Sequence, residues 1–269
     1  MDENITSGSD TVEGIPVSWA APSTGATGTA LWLTHLGGSA EQAAPVLTRL
    51  AQRGLLAVSF DPPGHGRRGD GSSPERLAGE VLASFRQRMW PLLGQTVLEC
   101  LRVLDWAGHR FGVPGPLVAG GVSMGGDAAV ALAGIDRRIS RVGALVATPD
   151  WTRPGMRTLG EHPNVIDQGQ ADSYAWWFFE ALNPMTHLEA YQRDVAVRFL
   201  CAGEDQHVPP DGALRFRAAL IERDPRAADR IDVKLYDGLS HLDGALSDQL
   251  CAGALDWLAG RPGDAGAHA

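Results

Sequence analysis

The sequence is poor in cysteine and has no long apolar run. Its 269 residues include three cysteines, Cys100, Cys201 and Cys251, which lie far apart in apolar segments. An odd number of widely spaced cysteines does not indicate a disulfide framework, so we expect reduced core side chains. No apolar run is long enough to span a bilayer, and the acidic first residues lack the apolar segment of a secretory signal. These absences predict a cytoplasmic protein with no membrane partner.

Basic clusters and metal-binding patterns are also missing. The net charge is -9, and no basic run alternates with aromatic residues, so we expect no nucleic-acid partner. No group of histidines and carboxylates has the spacing of a metal site. We therefore predict no metal and no other cofactor. No motif in the sequence sets the oligomeric state.

The order of apolar and amphipathic segments is typical of an α/β protein. Hydrophobic residues make up 44% of the chain and charged residues 20%, as in globular domains. Short apolar runs predict buried strands at 30–34, 55–60, 117–121, 139–147, 195–201 and 231–236. Segments with helical spacing lie between them, at 41–52, 74–108, 213–223 and 245–258. This alternation predicts one domain over residues 1–269, with a mainly parallel sheet and helices on both faces.

Some segments depart from this regular pattern. Residues 1–10 are polar, and we predict that they are loose. The apolar residues in 12–20 predict an edge strand. The tail after Gly260 is predicted to be disordered. The helical stretch at 74–108 is expected to be interrupted near Pro91 and Gly94. Residues 149–185 combine aromatic side chains with proline and glycine and show no periodicity. We interpret them as a cap insertion over the carboxyl edge of the sheet, where this architecture places ligands.

A pentapeptide follows the apolar run at 117–121 and contains the best candidate nucleophile. It reads Gly121-Val122-Ser123-Met124-Gly125, and small residues with helical composition follow it. A G-x-S-x-G sequence between a strand and a helix is typical of a nucleophile elbow, in which the serine hydroxyl stands clear of the sheet. The flanking glycines have no Cβ to collide with the neighbouring chain. The motif predicts Ser123 as a nucleophile.

A serine nucleophile needs a base and an orienting carboxylate, and both are found after later strands. Asp205 follows the strand predicted at 195–201, and His241 follows the strand predicted at 231–236. Because parallel strands end at the same edge of a sheet, these residues are expected near Ser123. Alternatives remain for both positions. Asp205 could instead cap a helix, His241 could be a surface histidine, and the other candidate acids are Glu204, Asp211 and Asp237.

Together these motifs resemble the serine α/β-hydrolases over about residues 28–260. The segment 203–209 is similar to the acid loop of that family, with Asp205 in the acid position, and Leu239-Ser240-His241 is similar to its base segment. Asp61-Pro62-Pro63-Gly64-His65-Gly66 resembles the family's D-x-P-G-H-G loop. The resemblance implies an α/β-hydrolase fold and a catalytic triad of Ser123, Asp205 and His241. We expect His65 to hold its own loop, and His207 to stabilise the acid loop or to face solvent.

The oxyanion hole requires two backbone N–H groups. Met124, directly after the nucleophile, is predicted to supply one. The second is expected after the strand at 30–34, where Thr34-His35-Leu36-Gly37-Gly38 departs from the common H-G-x-G-G form. Alignment on the glycines favours Leu36, and alignment on the histidine favours Gly37. We predict Leu36 as the donor and place Gly37 among the substrate-binding residues.

Aromatic and basic residues give weaker indications of the substrate site. Trp176 and Trp177 in the predicted cap either pack internally or form a wall of an acyl pocket, and we predict them as substrate-binding. Arg67 and Arg68 follow the Asp61 loop. A solvated charge pair is the simpler interpretation of these arginines, and a clamp for an anionic substrate is the alternative.

The predicted activity is hydrolysis of a carboxylic ester of a small molecule through an acyl-enzyme. The pattern is similar to the small carboxylesterase and dienelactone-hydrolase-like branch with a short cap. Dienelactone hydrolases use a cysteine nucleophile, so Ser123 favours ester, thioester or amide substrates over their activity. A thioesterase or a peptidase with the same triad is the first alternative, and a non-catalytic ligand-binding protein is the second.

Overall fold

The computed structural model describes residues 4–260. The tail after Gly260, predicted to be disordered, and the first three residues of the predicted domain lie outside the described residues. Within the described part, no helix has both the length and the apolar character needed to cross a membrane.

Residues 4–260 contain one eight-stranded sheet. Its strands are β1 (Ile5–Val12), β2 (Ile15–Pro22), β3 (Thr29–Leu33), β4 (Leu56–Phe60), β5 (Leu117–Val122), β6 (Ile139–Leu145), β7 (Ala196–Ala202) and β8 (Ile231–Tyr236). Their order across the sheet is β1-β2-β4-β3-β5-β6-β7-β8. The pairs β1–β2 and β2–β4 are antiparallel, and all other neighbouring strands are parallel. The predicted mainly parallel sheet is therefore confirmed.

Helices cover both faces of the sheet. They are α1 (Ala44–Ala51), α2 (Pro74–Ala83), α3 (Phe85–Phe111), α4 (Met124–Ile135), α5 (Ser173–Leu182), α6 (Asp211–Arg223), α7 (His241–Leu246) and α8 (Asp248–Leu258). One apolar core joins the sheet to α3, α4 and α6. A second core on the opposite face joins the sheet to α1 and α8. The prediction of helices on both faces is confirmed as well.

The N-terminal segment is more ordered than its polar sequence suggests. Strand β1 pairs with β2 along its whole length, from Ile5 opposite Pro22 to Val12 opposite Ile15. Most of its side chains are exposed or half-buried. The prediction of a loose segment over residues 1–10 is therefore wrong from residue 5 onward. Backbone pairing to β2, which needs no apolar side chains, holds this strand in place.

The interruption in the long helical stretch lies at Ser84, and the prediction of a break near Pro91 and Gly94 is wrong. Ser84 adopts φ -144° and ψ 56°, which separates α2 from α3. Pro91 and Gly94 both lie inside α3. A Cβ at Gly94 would lie 2.0 Å from Cδ1 of Phe178, so glycine is required for α5 to pack against α3.

The region predicted as a cap follows β6 and ends just after α5. Its first half has little regular structure apart from a bridge between Arg157 and Val165. Its second half is α5, which packs against α3. Because β6 and β7 are adjacent and parallel, the segment leaves the carboxyl edge of the sheet and returns to the amino edge. It therefore starts beside the candidate nucleophile.

Candidate active site

Ser123 lies in the turn between β5 and α4 in a strained conformation. Its φ is 52° and its ψ is -118°, a combination that costs a non-glycine residue about 1–3 kcal/mol. The turn is held by hydrogen bonds: Ser123 N donates to Leu145 O at 2.9 Å, and Asp127 N donates to Ser123 O at 3.0 Å. The residue is 8% exposed. The surrounding structure thus maintains a backbone conformation that the sequence alone would disfavour.

The two glycines of the pentapeptide allow the turn to fit against β3. A Cβ at Gly125 would lie 2.3 Å from the carbonyl oxygen of Leu33, and a Cβ at Gly121 would lie 2.6 Å from the same atom. Both distances are shorter than any normal contact. The close approach of backbone to backbone explains why the motif needs glycine on each side of Ser123.

Asp205 and His241 form a short, buried hydrogen bond at this edge. His241 Nδ1 donates to Asp205 Oδ2 at 2.6 Å, and both side chains are buried. The other carboxylate oxygen, Oδ1, accepts from the backbone N–H of His207 at 2.9 Å and of Val208 at 2.7 Å. The carboxylate is therefore fixed in place, and Nδ1 of His241 carries its proton. This leaves Nε2 of His241 as the proton acceptor.

Topology brings Ser123, Asp205 and His241 to one edge of the sheet. They follow β5, β7 and β8, which are parallel to one another. His241 is the first residue of α7, and Ser240 caps that helix through a reciprocal pair of hydrogen bonds with Asp243. This N-terminal capping box fixes the first turn of α7 and thereby the backbone position from which the His241 imidazole extends.

The other candidate acids have different surroundings. Glu204 and Asp237 are exposed, and Asp211 pairs with Arg215 at 3.1 Å on the surface of α6. Among the described residues, Asp205 alone of the four candidates hydrogen bonds to His241. Its backbone contacts within the acid loop explain the difference, because they place the carboxylate inside the molecule.

His207 lies against the ring of His241. The two ring centroids are 5.0 Å apart in an edge-to-face arrangement. His207 Nδ1 donates to Arg157 O at 2.8 Å, and Arg157 N donates to Gln206 O at 2.8 Å. Two hydrogen bonds thus join the segment predicted as a cap to the loop that contains Asp205. Burial, followed by the positive charges of His241 and Arg153, lowers the pKa of His207 to about 4. The predicted loop-stabilising role fits these contacts, but the ring contact with His241 was not foreseen.

The lowered pKa of His207 predicts a loss of stability in mild acid. The ring takes up a proton near pH 6.5 in the unfolded chain and only near pH 4 in the folded protein. Unfolding therefore binds a proton between these values, and the free energy of unfolding falls as the pH falls. The loss from this one residue is about 3 kcal/mol between pH 7 and pH 4.

Urea unfolding of His207→Asn at pH 7, 5.5 and 4.5 measures this contribution. Asparagine keeps an N–H for Arg157 O and does not titrate. The free energy of unfolding of the variant should therefore fall less between pH 7 and pH 4.5 than that of the wild type. His109→Asn is the matched control, since His109 is exposed and its ring bonds to Asp105 O on the same helix. Equal acid sensitivity of wild type and His207→Asn would contradict the prediction.

Backbone N–H groups without acceptors occur at the elbow and in the loop that follows β3. Within residues 4–260, the amides of Met124, Leu36 and Gly37 donate no hydrogen bond. A turn in which Gly38 N donates to His35 O at 2.9 Å fixes the peptide group that carries the Leu36 N–H. His35 Nδ1 donates to Leu36 O at 2.9 Å and fixes the next peptide group. Both candidate segments thus present fixed, free donors, and the assignment of Met124 and Leu36 stays a prediction.

The Asp61 loop is held mainly by its own side chains. Asp61 accepts from Ala40 N at 2.8 Å and from Arg67 N at 3.0 Å. His65 is buried, its Nδ1 donates to Pro63 O at 2.9 Å, and burial lowers its pKa. Arg68 forms a two-bond contact with Glu99, at 2.5 and 2.8 Å, and Arg67 is largely exposed. Arg67 fits the interpretation as a solvated charge, but Arg68 does not, because it is half-buried against Glu99. The charge of Arg68 is matched by Glu99, which leaves no support for a substrate clamp at this residue.

Trp176 and Trp177 have different surroundings on α5. The Trp176 ring stacks on Phe179 at 5.3 Å and lies 5.8 Å from buried Trp90, so it belongs to an aromatic group between α3 and α5. Trp177 packs edge-to-face on Phe178 and is 56% exposed. Gly37 has φ 84° and packs against Pro74. The substrate-binding roles of these three residues stay predictions.

Two buried charged residues near the elbow were missed by the sequence analysis. Asp127 lies in the first turn of α4 and forms an ion pair with Arg153, which comes from the segment after β6. Both side chains are almost completely buried. An acidic residue in the first turn of α4 was visible in the sequence, but its partner lies in a segment without periodicity.

Among the described residues, no group of histidine, cysteine and acidic side chains could hold a metal ion.

Comparisons with known proteins identify the fold. No protein-family model and no curated protein matches this chain. Among solved structures, TT1662 from Thermus thermophilus is 24% identical with a TM-score of 0.70, over 94% of this chain and 96% of its own. A cold-adapted esterase from an Arctic intertidal metagenomic library is 19% identical with a TM-score of 0.59, over 97% and 96%. Est1E from Butyrivibrio proteoclasticus, solved with ferulic acid bound, is 14% identical with a TM-score of 0.61, over 94% and 98%. The chain has the α/β-hydrolase fold, as predicted.

Proposed function

We propose that this protein is a serine hydrolase that cleaves a carboxylic ester of a small molecule. The observation that carries the proposal is the buried hydrogen bond between Asp205 and His241, at the sheet edge where Ser123 occupies a strained elbow. Such an arrangement supplies a nucleophile, a base with a free Nε2 and a carboxylate that orients the base. The esterases that share the fold add support from similarity alone.

In the proposed reaction, Nε2 of His241 accepts the proton of the Ser123 hydroxyl while the serine oxygen attacks the ester carbonyl. The N–H groups of Met124 and Leu36 stabilise the oxyanion that forms. The intermediate collapses, the C–O bond to the alcohol breaks, and the alcohol leaves with the proton from His241. Water then attacks the acyl-serine, His241 accepts a proton from it and returns one to Ser123, and the carboxylic acid is released.

Asp205 has two proposed tasks in this cycle. It holds His241 in the tautomer with the proton on Nδ1, so that Nε2 can accept the serine proton. It also stabilises the imidazolium that exists while the proton is on the ring. The two backbone N–H groups that bind its second oxygen keep the carboxylate from turning away. The proposed mechanism needs only side chains and backbone groups of this chain, and the proposed activity is that of a carboxylesterase.

The aromatic group between α3 and α5 is the proposed wall of the acyl site. It contains Trp90, Trp176 and Phe179, with the ring centroids of Trp90 and Phe179 4.3 Å apart. Trp90 Nε1 donates to Trp151 O at 2.9 Å, which joins this wall to the segment that starts beside Ser123. Trp176 is the half-exposed member and the one a substrate would reach first.

Hydrolysis of p-nitrophenyl acetate, butyrate and octanoate tests the proposal. We expect saturable turnover of at least one ester, with a chain-length profile that measures the depth of the acyl site. The matched p-nitroanilide of the best acyl group and its thioester separate an esterase from a peptidase and a thioesterase. Folded protein that hydrolyses none of the esters would contradict the proposed activity.

A further inference from the structure

His207 contacts both members of the Asp205–His241 pair. Its backbone N–H donates to Asp205 Oδ1 at 2.9 Å, and its ring lies edge-to-face on the ring of His241, with the centroids 5.0 Å apart. Both rings are buried. His207 therefore supports the acid through its backbone and the base through its side chain. The mechanism proposed above uses the first contact and assigns no task to the second.

The hydrogen bond to Asp205 does not by itself fix the plane of the His241 ring. It constrains the direction from Nδ1 to Oδ2, whereas the χ2 torsion of histidine is broad and has no sharply preferred value. A base must also hold its second nitrogen within hydrogen-bond reach of the serine hydroxyl. The ring of His207, packed against the imidazole, supplies a second constraint on that plane.

His207 can lie against the base without opposing its charge. Burial lowers the pKa of His207 to about 4, so its ring is neutral near pH 7. The charged and titratable groups that act on it come from each segment around it: His241 on α7, Arg153 in the segment after β6, and Asp205 in its own loop. A neutral neighbour does not repel the imidazolium that forms on His241 during the reaction.

The same ring is tied to the segment predicted as a cap. His207 Nδ1 donates to Arg157 O, and the N–H of Arg157 donates to Gln206 O, so both backbone groups of Arg157 bond to the loop that contains the acid. Arg157 also forms an antiparallel bridge with Val165. The position of the chain between these two residues, relative to the base, thus depends on His207.

We propose that His207 is a positioning residue with two separable tasks. Its ring holds the imidazole of His241 in the plane from which Nε2 accepts the proton of Ser123, and its Nδ1–H holds the predicted cap segment beside the base. The first task supports the acylation step, and the second supports binding of the ester. A histidine combines the flat ring and the N–H that the two tasks need. The inference rests on the proposed serine hydrolase activity.

Single-turnover kinetics, with enzyme in excess over the best p-nitrophenyl ester, gives the acylation rate constant and the dissociation constant of the ester. His207→Asn keeps an N–H for Arg157 O and loses the ring contact. Its acylation rate constant should fall about tenfold, with the dissociation constant within about twofold of the wild type. His207→Phe keeps a ring against His241 and loses the N–H. It should bind the ester about tenfold more weakly and acylate at a rate within about threefold of the wild type.

His207→Ala lacks both groups and should show both changes. All three variants keep the backbone N–H that binds Asp205, and the acylation rate constant at saturating enzyme does not depend on the folded fraction. A purely structural histidine would alter the two constants alike in the asparagine and phenylalanine variants, or leave both unchanged. Either result would overturn the inference.

His109→Phe is the matched control for the phenylalanine variant. The Nδ1 of His109 also bonds to a backbone carbonyl, that of Asp105 at 2.7 Å, and the residue is exposed on α3. Both constants should stay within about twofold of the wild type, as for other surface substitutions. A loss of ester binding equal to that in His207→Phe would contradict a specific role of His207.

A measurement without turnover separates this inference from the proposed function. The proton that His241 Nδ1 donates to Asp205 is expected to give a low-field ¹H NMR signal, which is assigned by its loss in His241→Gln. The signal should persist in His207→Phe and broaden through faster exchange with water in His207→Asn. If it does so but no ester turnover depends on Ser123, the proposed function fails and the ring contact stands. If turnover depends on Ser123 and His207→Asn matches the wild type in signal and acylation rate constant, the inference fails alone.

Discussion

Replacement of Ser123 by alanine is expected to lower kcat/KM for a p-nitrophenyl ester by about 10⁴–10⁶-fold. The hydroxyl oxygen is the atom that forms the acyl-enzyme, so no other group of the site can take its place. The change removes one atom from a turn that is held by backbone hydrogen bonds, which remain in the variant. Rates of the wild type and the variant, measured on the same folded material, give the ratio directly.

Ser140→Ala is the matched control for this loss. Ser140 lies in β6 at the opposite edge of the sheet, and its hydroxyl donates to Leu117 O at 3.1 Å. Its loss should change kcat/KM less than threefold if the effect is confined to the elbow. An alanine at 123 that retains a tenth or more of the wild-type rate would exclude Ser123 as the nucleophile.

Asp205→Asn is expected to lower kcat about 10⁴-fold with little change in the fold. Asparagine can keep its oxygen against the N–H groups of His207 and Val208, which places its NH₂ group against Nδ1 of His241. The imidazole must then carry its proton on Nε2, where it can no longer accept one from Ser123. The expected loss therefore comes from a changed tautomer, and it should appear mainly in kcat.

Glu204→Gln is the control, since Glu204 is the adjacent acidic residue and is exposed. It should leave kcat unchanged within a factor of about two, because a surface carboxylate is screened by water. Single-turnover kinetics of both variants separate acylation from later steps. If Glu204→Gln loses more activity than Asp205→Asn, the acid in the mechanism has been assigned to the wrong residue.

The sequence was informative wherever local chemistry decides the structure. The elbow could be recognised because two glycines must flank Ser123 where the turn touches β3. Asp205 and His241 could be placed at the same sheet edge as Ser123 because each follows an apolar strand, and parallel strands end at the same edge. The mainly parallel sheet followed from the alternation of apolar and amphipathic segments. Each of these inferences needs only the spacing of residues along the chain.

The errors came from features that depend on distant parts of the chain. Strand β1 has a polar sequence, and its order comes from backbone hydrogen bonds to β2. A glycine inside a helical stretch usually indicates a break in the helix. Gly94 instead leaves the space that the ring of Phe178 from α5 occupies. Arg153 belongs to a segment without periodicity, so its pairing with Asp127 depends on the path of that segment through the folded protein. Sequence patterns carry no direct record of such contacts.

Covalent labelling of the folded protein with a fluorophosphonate, followed by mass spectrometry of its peptides, tests the identity of the nucleophile most directly. We expect one adduct on the peptide that contains Ser123, loss of esterase activity in proportion to labelling, and little labelling in Asp205→Asn. Labelling at another serine, or full loss of activity without an adduct at Ser123, would contradict the proposal that this elbow serine is the nucleophile.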